Sequence, residues 1–179
     1  SLQLIQSGVF DDSTRRDQYH PLVVEKNGIR LAFLNYTYGT NGLKVKPPNL
    51  VNYIRKDRIG QDLEKAKQAE PDYIIALMHW GSEYQRKQNI KQEALAAFLF
   101  RNGVDAVVGS HPHVVQPVVM DSVTGSPELR RPVAYSLGNL ISNQRERYRN
   151  GGIMLYIHLS KSERTRLTDI SFVPVFVHK

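Results

Sequence analysis

The apolar positions of this chain change rhythm as the sequence proceeds. Between residues 22 and 34 they form two short runs, 22–24 and 29–34, separated by Asn27-Gly28. An Asn-Gly pair between apolar runs predicts a β-hairpin, because both residues accept the positive φ of a type I′ turn. The second run leads into Tyr36-Thr37-Tyr38-Gly39, read as a functional or structural loop. Residues 39–50 carry too many Gly, Asn and Pro for regular structure. Residues 55–70 place Leu63, Ala66 and Lys67 at helical spacing and stop at Pro71, which predicts a helix. Residues 73–78 are a continuous apolar run of buried-strand length that ends at His79. Residues 90–102 set Leu95, Phe98 and Leu99 on one helical face, with Gly103 at the C-terminal cap. Residues 104–108 form another short buried strand, ending at Gly109-Ser110-His111.

Strand and helix alternating in this way predict parallel β-α units. The last third differs: residues 114–120, 132–136, 153–159 and 169–177 read as strands without helices between them. The loop 142–152 is polar and basic, expected to be exposed and mobile. Residues 1–20 read as irregular, and the adjacent acids Asp11 and Asp12 as solvated. With no repeat and no linker, residues 1–179 are taken as one α/β domain: a mixed sheet with helices outside its first part.

Composition narrows the chemistry only a little. There is no cysteine, which excludes disulfides and thiolate metal sites. No run reaches the roughly 18 apolar residues of a transmembrane helix. Lys and Arg number 24 against 17 Asp and Glu, a net +7 that favours polyanions. The positive charges are scattered, with short clusters at Arg15-Arg16, Arg130-Arg131 and residues 145–149, and no basic-aromatic interleaving suggests an RNA platform. A nucleic-acid partner is not expected.

Two buried strands each end in histidine, at His79 and at Ser110-His111-Pro112-His113. In open α/β sheets ligands bind beyond the carboxyl ends of the strands, so both segments deliver side chains to one edge. In an extended segment residues two apart face one side, so His111 and His113 can share a centre. Gly109 allows a close backbone approach beneath them. Imidazole is a common ligand of zinc-like ions. One strand-end histidine would be unremarkable, whereas a His-x-His pair with a third at an equivalent strand end points to metal or phosphate chemistry. His20, His158 and His178 are read as structural or exposed. Glu83 is open between orienter, acid/base group and surface carboxylate; Trp80 is read as packing; Asn139 either touches the site or closes a turn.

Three segments, 78–84 (Met-His-Trp-Gly-Ser-Glu-Tyr), 109–117 (Gly-Ser-His-Pro-His-Val-Val-Gln-Pro) and 135–139 (Tyr-Ser-Leu-Gly-Asn), resemble, in order and spacing, the bacterial poly-γ-glutamate capsule-synthesis (CapA-type) proteins. That family is similar to the calcineurin-like metallophosphatases. The resemblance implies a β-sandwich flanked by helices and a site with two divalent metal ions. His79 and His111 would serve one ion and His113 its neighbour. If the full-length protein is such an enzyme, a histidine, His79 or His113, or Glu83 would serve as the catalytic acid, and the substrate would be an acidic capsule polymer or a phosphoester. The resemblance further implies capsule-synthesis membrane components as partners, and a membrane-anchored, extracytoplasmic full-length protein of which this chain is a soluble piece.

Such sites also use an Asp-x-His, a Gly-Asp and an Asn-His, supplied earlier in the chain, and none of these occurs in the 179 residues. The chain is therefore expected to be a C-terminal part carrying the histidine half, with weak or no metal binding and no activity by itself. The alternative is a non-enzymatic factor that binds, assembles or exports capsule polymer.

Overall fold

A computed structural model describes residues 5–123 and 126–177. Two short strands, β1 (Val9–Phe10) and β4 (Leu50–Val51), pair with each other, and helix α1 (Ser13–Tyr19) follows β1. The main sheet contains β2 (Leu22–Lys26), β3 (Ile29–Thr37), β5 (Tyr73–His79), β6 (Ala106–Ser110), β7 (Val118–Val123) and β8 (Ser126–Ala134), in the order β2-β3-β5-β6-β8-β7. Its four inner strands run parallel and both edge strands antiparallel. Helices α2 (Lys56–Gln68) and α3 (Ile90–Arg101) supply the crossovers from β3 to β5 and from β5 to β6, and β9 (Gly151–Lys161) with β10 (Thr165–Phe176) forms a separate hairpin.

Alternation along the strands sorts the core into two layers. Ala32, Leu34, Ile74, Ala76, Met78 and Val107 face α2 and α3, where they meet Ile59, Leu63, Leu95 and Leu99. Leu31, Phe33, Tyr73, Ile75, Leu77 and Val108 face the other way and are covered by Ile157 and Leu159 of β9. The architecture is thus α/β in three layers, with the β9–β10 hairpin as the second β layer of a sandwich-like arrangement. Among the described residues no helix is long and apolar enough to cross a membrane.

The Asn27-Gly28 turn forms as its composition requires, with φ of 53° and 74°. Residues 1–20 need correction, because Ser13–Tyr19 is helical and Asp12, expected to be solvated, caps it by accepting from the Arg15 N–H at 2.8 Å. That helix buries an arginine rather than an apolar stripe. Arg16 donates to Asp62 Oδ2 at 2.7 Å and to Asn52 Oδ1 at 2.8 Å. Tyr36 and His20 reach the same Asp62 oxygen at 2.8 and 3.2 Å. The strand expected over residues 114–120 starts only at Val118. Val114 to Pro117 are instead held by the Val115 to Leu137 bridge, by backbone bonds from Gln116 N–H to the Ser136 carbonyl and from Tyr135 N–H to the Pro117 carbonyl, and by the buried Gln116 side chain, which accepts from Gln92 Nε2 at 2.9 Å.

Candidate metal centre

Register places the first histidine. In the parallel pairing Thr37 lies beside His79, and His79 beside Ser110, so β3, β5 and β6 end at one level. The chain leaving β6 brings His111 over that edge, with its ring centroid 4.6 Å from that of His79 and 6.3 Å from that of His113. The expectation that 111 and 113 share a side through extended geometry is not how they meet. Both have positive φ, 101° and 59°, in a bend after the strand. Non-glycine residues in that region are strained and concentrate where surrounding structure holds them for a purpose.

Hydrogen bonds fix two of the rings. The Thr37 hydroxyl donates to the Gly39 carbonyl at 2.8 Å, so its oxygen accepts from His79 Nδ1–H, also at 2.8 Å. Asn139 directs its amide NH2 to the Arg149 carbonyl at 2.7 Å, leaving Oδ1 to accept from His113 Nδ1–H at 2.9 Å. In both rings the proton sits on Nδ1 and the Nε2 lone pair is left for a ligand. Histidines that bind metal are held by their other nitrogen in this way. Asn139 thus belongs beside the site and does more than close a turn.

Burial, helped by the neighbouring His111 and His113, holds the His79 imidazole below the usual histidine range. His111 is lowered too, first by burial, against which the Glu83 carboxylate pulls upward. Neutral rings are the form a cation needs. Glu83 is exposed, but its carboxylate and ring nitrogens of His111 and His113 all lie within 4.8 Å of one another. His79 adjoins this group through His111. The structure therefore brings together all four residues singled out in the sequence.

Others were not singled out. Tyr38 stacks on His79 at a centroid distance of 5.5 Å and lies tilted against His111 at 4.4 Å, and Thr37 orients His79. The tyrosine-rich end of β3 was the signal, though composition could not say which side chains turn inward. Trp80 is packing, as read: it is buried and donates to the Tyr135 carbonyl at 2.9 Å. His20 is buried in the Asp62 cluster, and His158 is an exposed partner of Ser171 at 2.7 Å. His178 lies outside the described residues.

Solved structures share this architecture. The NAD nucleotidase NadN of Haemophilus influenzae aligns with a TM-score of 0.57 at 13% identity, covering 96% of this chain and 34% of that one. Calcineurin-like phosphoesterase YfkN from Bacillus subtilis aligns with a TM-score of 0.51 at 16% identity, covering 95% and 54%. Identities this low speak for the fold alone, and the fold is that of the calcineurin-like metallophosphatases. Residues 2–144 match the model of the bacterial capsule synthesis protein PGA_cap, and the chain belongs to that family. It is 30% identical over 153 residues to the capsule biosynthesis protein CapA of Bacillus anthracis, covering 80% of this chain and 34% of that protein. It is 27% identical to the PGA biosynthesis protein CapA of Bacillus subtilis (strain 168), covering 100% and 44%. The chain therefore spans less than half the length of these relatives.

Proposed function

We propose that this chain carries the histidine half of a divalent-metal hydrolase centre used in capsule synthesis. The observation that carries the reading is the pair of Nδ1-anchored rings, His79 and His113, flanking His111. That donor set suits a zinc-like or manganese-like ion: three imidazoles with one carboxylate, Glu83, in reach. A bound ion would act as a Lewis acid on a phosphoryl or amide oxygen of the substrate. The chain's own residues do the rest. Thr37 and Asn139 hold the ligating nitrogens in position, and Tyr38 covers one side of the two innermost rings. Glu83, exposed at the rim, either completes the ligand set or protonates the leaving group. A cavity of about 570 Å³ lined by Tyr38, Trp80, Ser82 and Lys91 adjoins this edge and admits a substrate. The substrate is an acidic capsule polymer or a phosphoester. A second ion would need carboxylate ligands from outside these 179 residues, since the Asp-x-His and Gly-Asp pairs of such sites do not occur in them.

The test is hydrolysis of a model phosphodiester and of poly-γ-glutamate by the full-length protein, with Mn²⁺ or Zn²⁺ and with chelator. Metal-dependent turnover that His79→Ala and His113→Ala each abolish is the expected result. Absence of turnover under every metal sinks the hydrolase reading. A second reading, a factor that holds capsule polymer for membrane components, is favoured by the arginines of loop 142–152 beside the site. Polymer binding indifferent to both histidine substitutions would select it.

Two further outcomes concern the ion itself. Thr37→Val removes the acceptor that orients His79 while keeping the side-chain shape. It is expected to weaken Zn²⁺ affinity roughly 10–100-fold in calorimetry, the usual cost of losing such a partner. Unchanged affinity contradicts the proposed role of Nε2. The lowered His79 and His111 have a sign for pH. These rings stay neutral at pH values where an ordinary histidine, near 6.5, has begun to protonate. Zn²⁺ uptake measured between pH 5 and 7 is therefore expected to fall off below, not at, the ordinary histidine midpoint.

A further inference from the structure

A second cavity, of about 370 Å³, opens between the segment 147–153 and β10, and its lining includes Arg86, Val115, Arg147, Tyr148 and Pro174. Two like charges meet there on one ring. The guanidinium carbon of Arg86 lies 4.0 Å from the Tyr148 centroid, and that of Arg147 lies 4.8 Å from it. Cation–π attraction holds each in place but leaves the charge uncompensated. No acidic residue lines the cavity, and among the described residues neither arginine has an ion-pair partner. Arg149 differs, because it stacks on Tyr84 at 3.5 Å and pairs with Glu146 at 3.6 Å. The two tyrosines that seat these arginines both have left-handed backbones, with φ of 66° at Tyr84 and 73° at Tyr148. For bulky residues that is costly, and it is held here in two places serving one arrangement.

The cavity is tied to the histidine centre. Tyr84 lies 6.2 Å from His113 between ring centroids, and Arg86 follows two residues later. Asn139, which orients His113, holds the Arg149 carbonyl. Two guanidiniums without a counter-charge that line one cavity are relieved by an anion bound in it, and each offers a fork of donors suited to oxyanions.

We propose that Arg86 and Arg147, braced on Tyr148, form a second site that takes an oxyanion, carboxylate or phosphate, carried by the substrate away from the bond being cut. Its place in substrate binding rests on the hydrolase reading; anion binding itself does not. The site therefore works without metal. An acidic chain reaching both cavities would be held at two points, and the arginine pair would set how far from a charged group the reaction falls.

The test is calorimetric titration of the chelator-treated protein with a γ-linked glutamate pentamer and, separately, with tripolyphosphate. Binding of at least one probe without metal is expected, weakening as salt rises. Arg86→Ala with Arg147→Ala should weaken it at least tenfold, and the paired lysine variant should recover part of the loss. Arg164→Ala with Arg166→Ala removes the same charge from the opposite, turn end of the β9–β10 hairpin and should leave affinity within twofold. Preference for the pentamer assigns carboxylates and preference for tripolyphosphate assigns phosphates. Equal loss in both double variants means net charge alone, and unchanged binding in the Arg86/Arg147 variant means no site; either overturns the proposal. Failure of metal-dependent hydrolysis with this metal-free binding intact would count against the hydrolase reading and not against the site.

Discussion

Gly109→Ala is expected to be the most damaging single methyl that can be added near the centre. Gly109 is buried in β6, and a Cβ there would lie 2.5 Å from Trp80 Nε1 and still closer to the carbonyl oxygen of Tyr135. Neither neighbour can yield cheaply. The carbonyl belongs to backbone just past β8, and the indole is buried and stacked on the Tyr135 ring at 6.0 Å. Making room means parting β6 from that backbone. The cost is the Trp80 to Tyr135 hydrogen bond and the bond from Leu137 N–H to the Gly109 carbonyl at 3.1 Å. Overpacking alone costs roughly 1–3 kcal/mol, and a buried donor left unpaired adds about as much. A total of about 3 kcal/mol lowers the midpoint of thermal unfolding by roughly 6–12 °C in a chain of this size. His111, two residues on, would shift with the strand, so metal affinity should fall in the protein that remains folded. A variant melting with the parent would show that the strands are not packed as described.

Asp62→Ala is expected to cost as much by the opposite route, a vacancy among charges. Arg16, Tyr36 and His20 all donate to a single Asp62 oxygen, and the carboxylate, Arg16 and His20 are buried. Removing it leaves a guanidinium and two further donors without their acceptor, a change that costs about 3–5 kcal/mol. Burial by itself would raise the Asp62 carboxyl, but hydrogen bonds from His20 and Arg16 outweigh it and hold the group near about 2. The unfolded chain protonates the same group near 3.8. A depressed carboxylate stabilises the fold above the unfolded value and loses that contribution as pH falls through the folded one. On the order of 2 kcal/mol should therefore disappear between pH 4 and pH 2. Denaturant titrations at those two pH values, on the parent and on Asp62→Ala, check it. A variant as acid-sensitive as the parent would remove Asp62 from the account.

These two residues also show what could be read before folding. Gly109 was legible, because a glycine ahead of a strand-end histidine announces a close approach even when the approaching group is unknown. Asp62 was not. Helix α1 has no apolar stripe to betray it; its one buried residue is Arg16, held by a carboxylate forty-six positions away. The hairpin at Asn27-Gly28, helices α2 and α3, and β5 followed from periodicity and caps, which act locally. The convergence of His79 with His111 followed from two strands ending alike. The bend that turns His113 toward the same place did not, since the positive φ at His111 and His113 arises from packing around them. Thr37 and Asn139 were visible only as members of turns, because a hydrogen bond to a ring nitrogen depends on register and loop closure, to which residue spacing is blind.

That register has a consequence for accuracy. The same pairing that sets Ile75 against Ala106 and Ala76 against Val107 sets His79 against Thr37 and Ser110. Side chains alternate across a strand, so a slip of one position anywhere along β5 would carry the imidazole to the opposite surface. Tyr73, at the far end of that strand, sits about 20 Å from the histidine it helps to align. Tolerances at the ligand atoms are therefore inherited from the fit of aliphatic groups that never touch an ion, and coarse repacking at that distance would blur the centre without altering one of its residues.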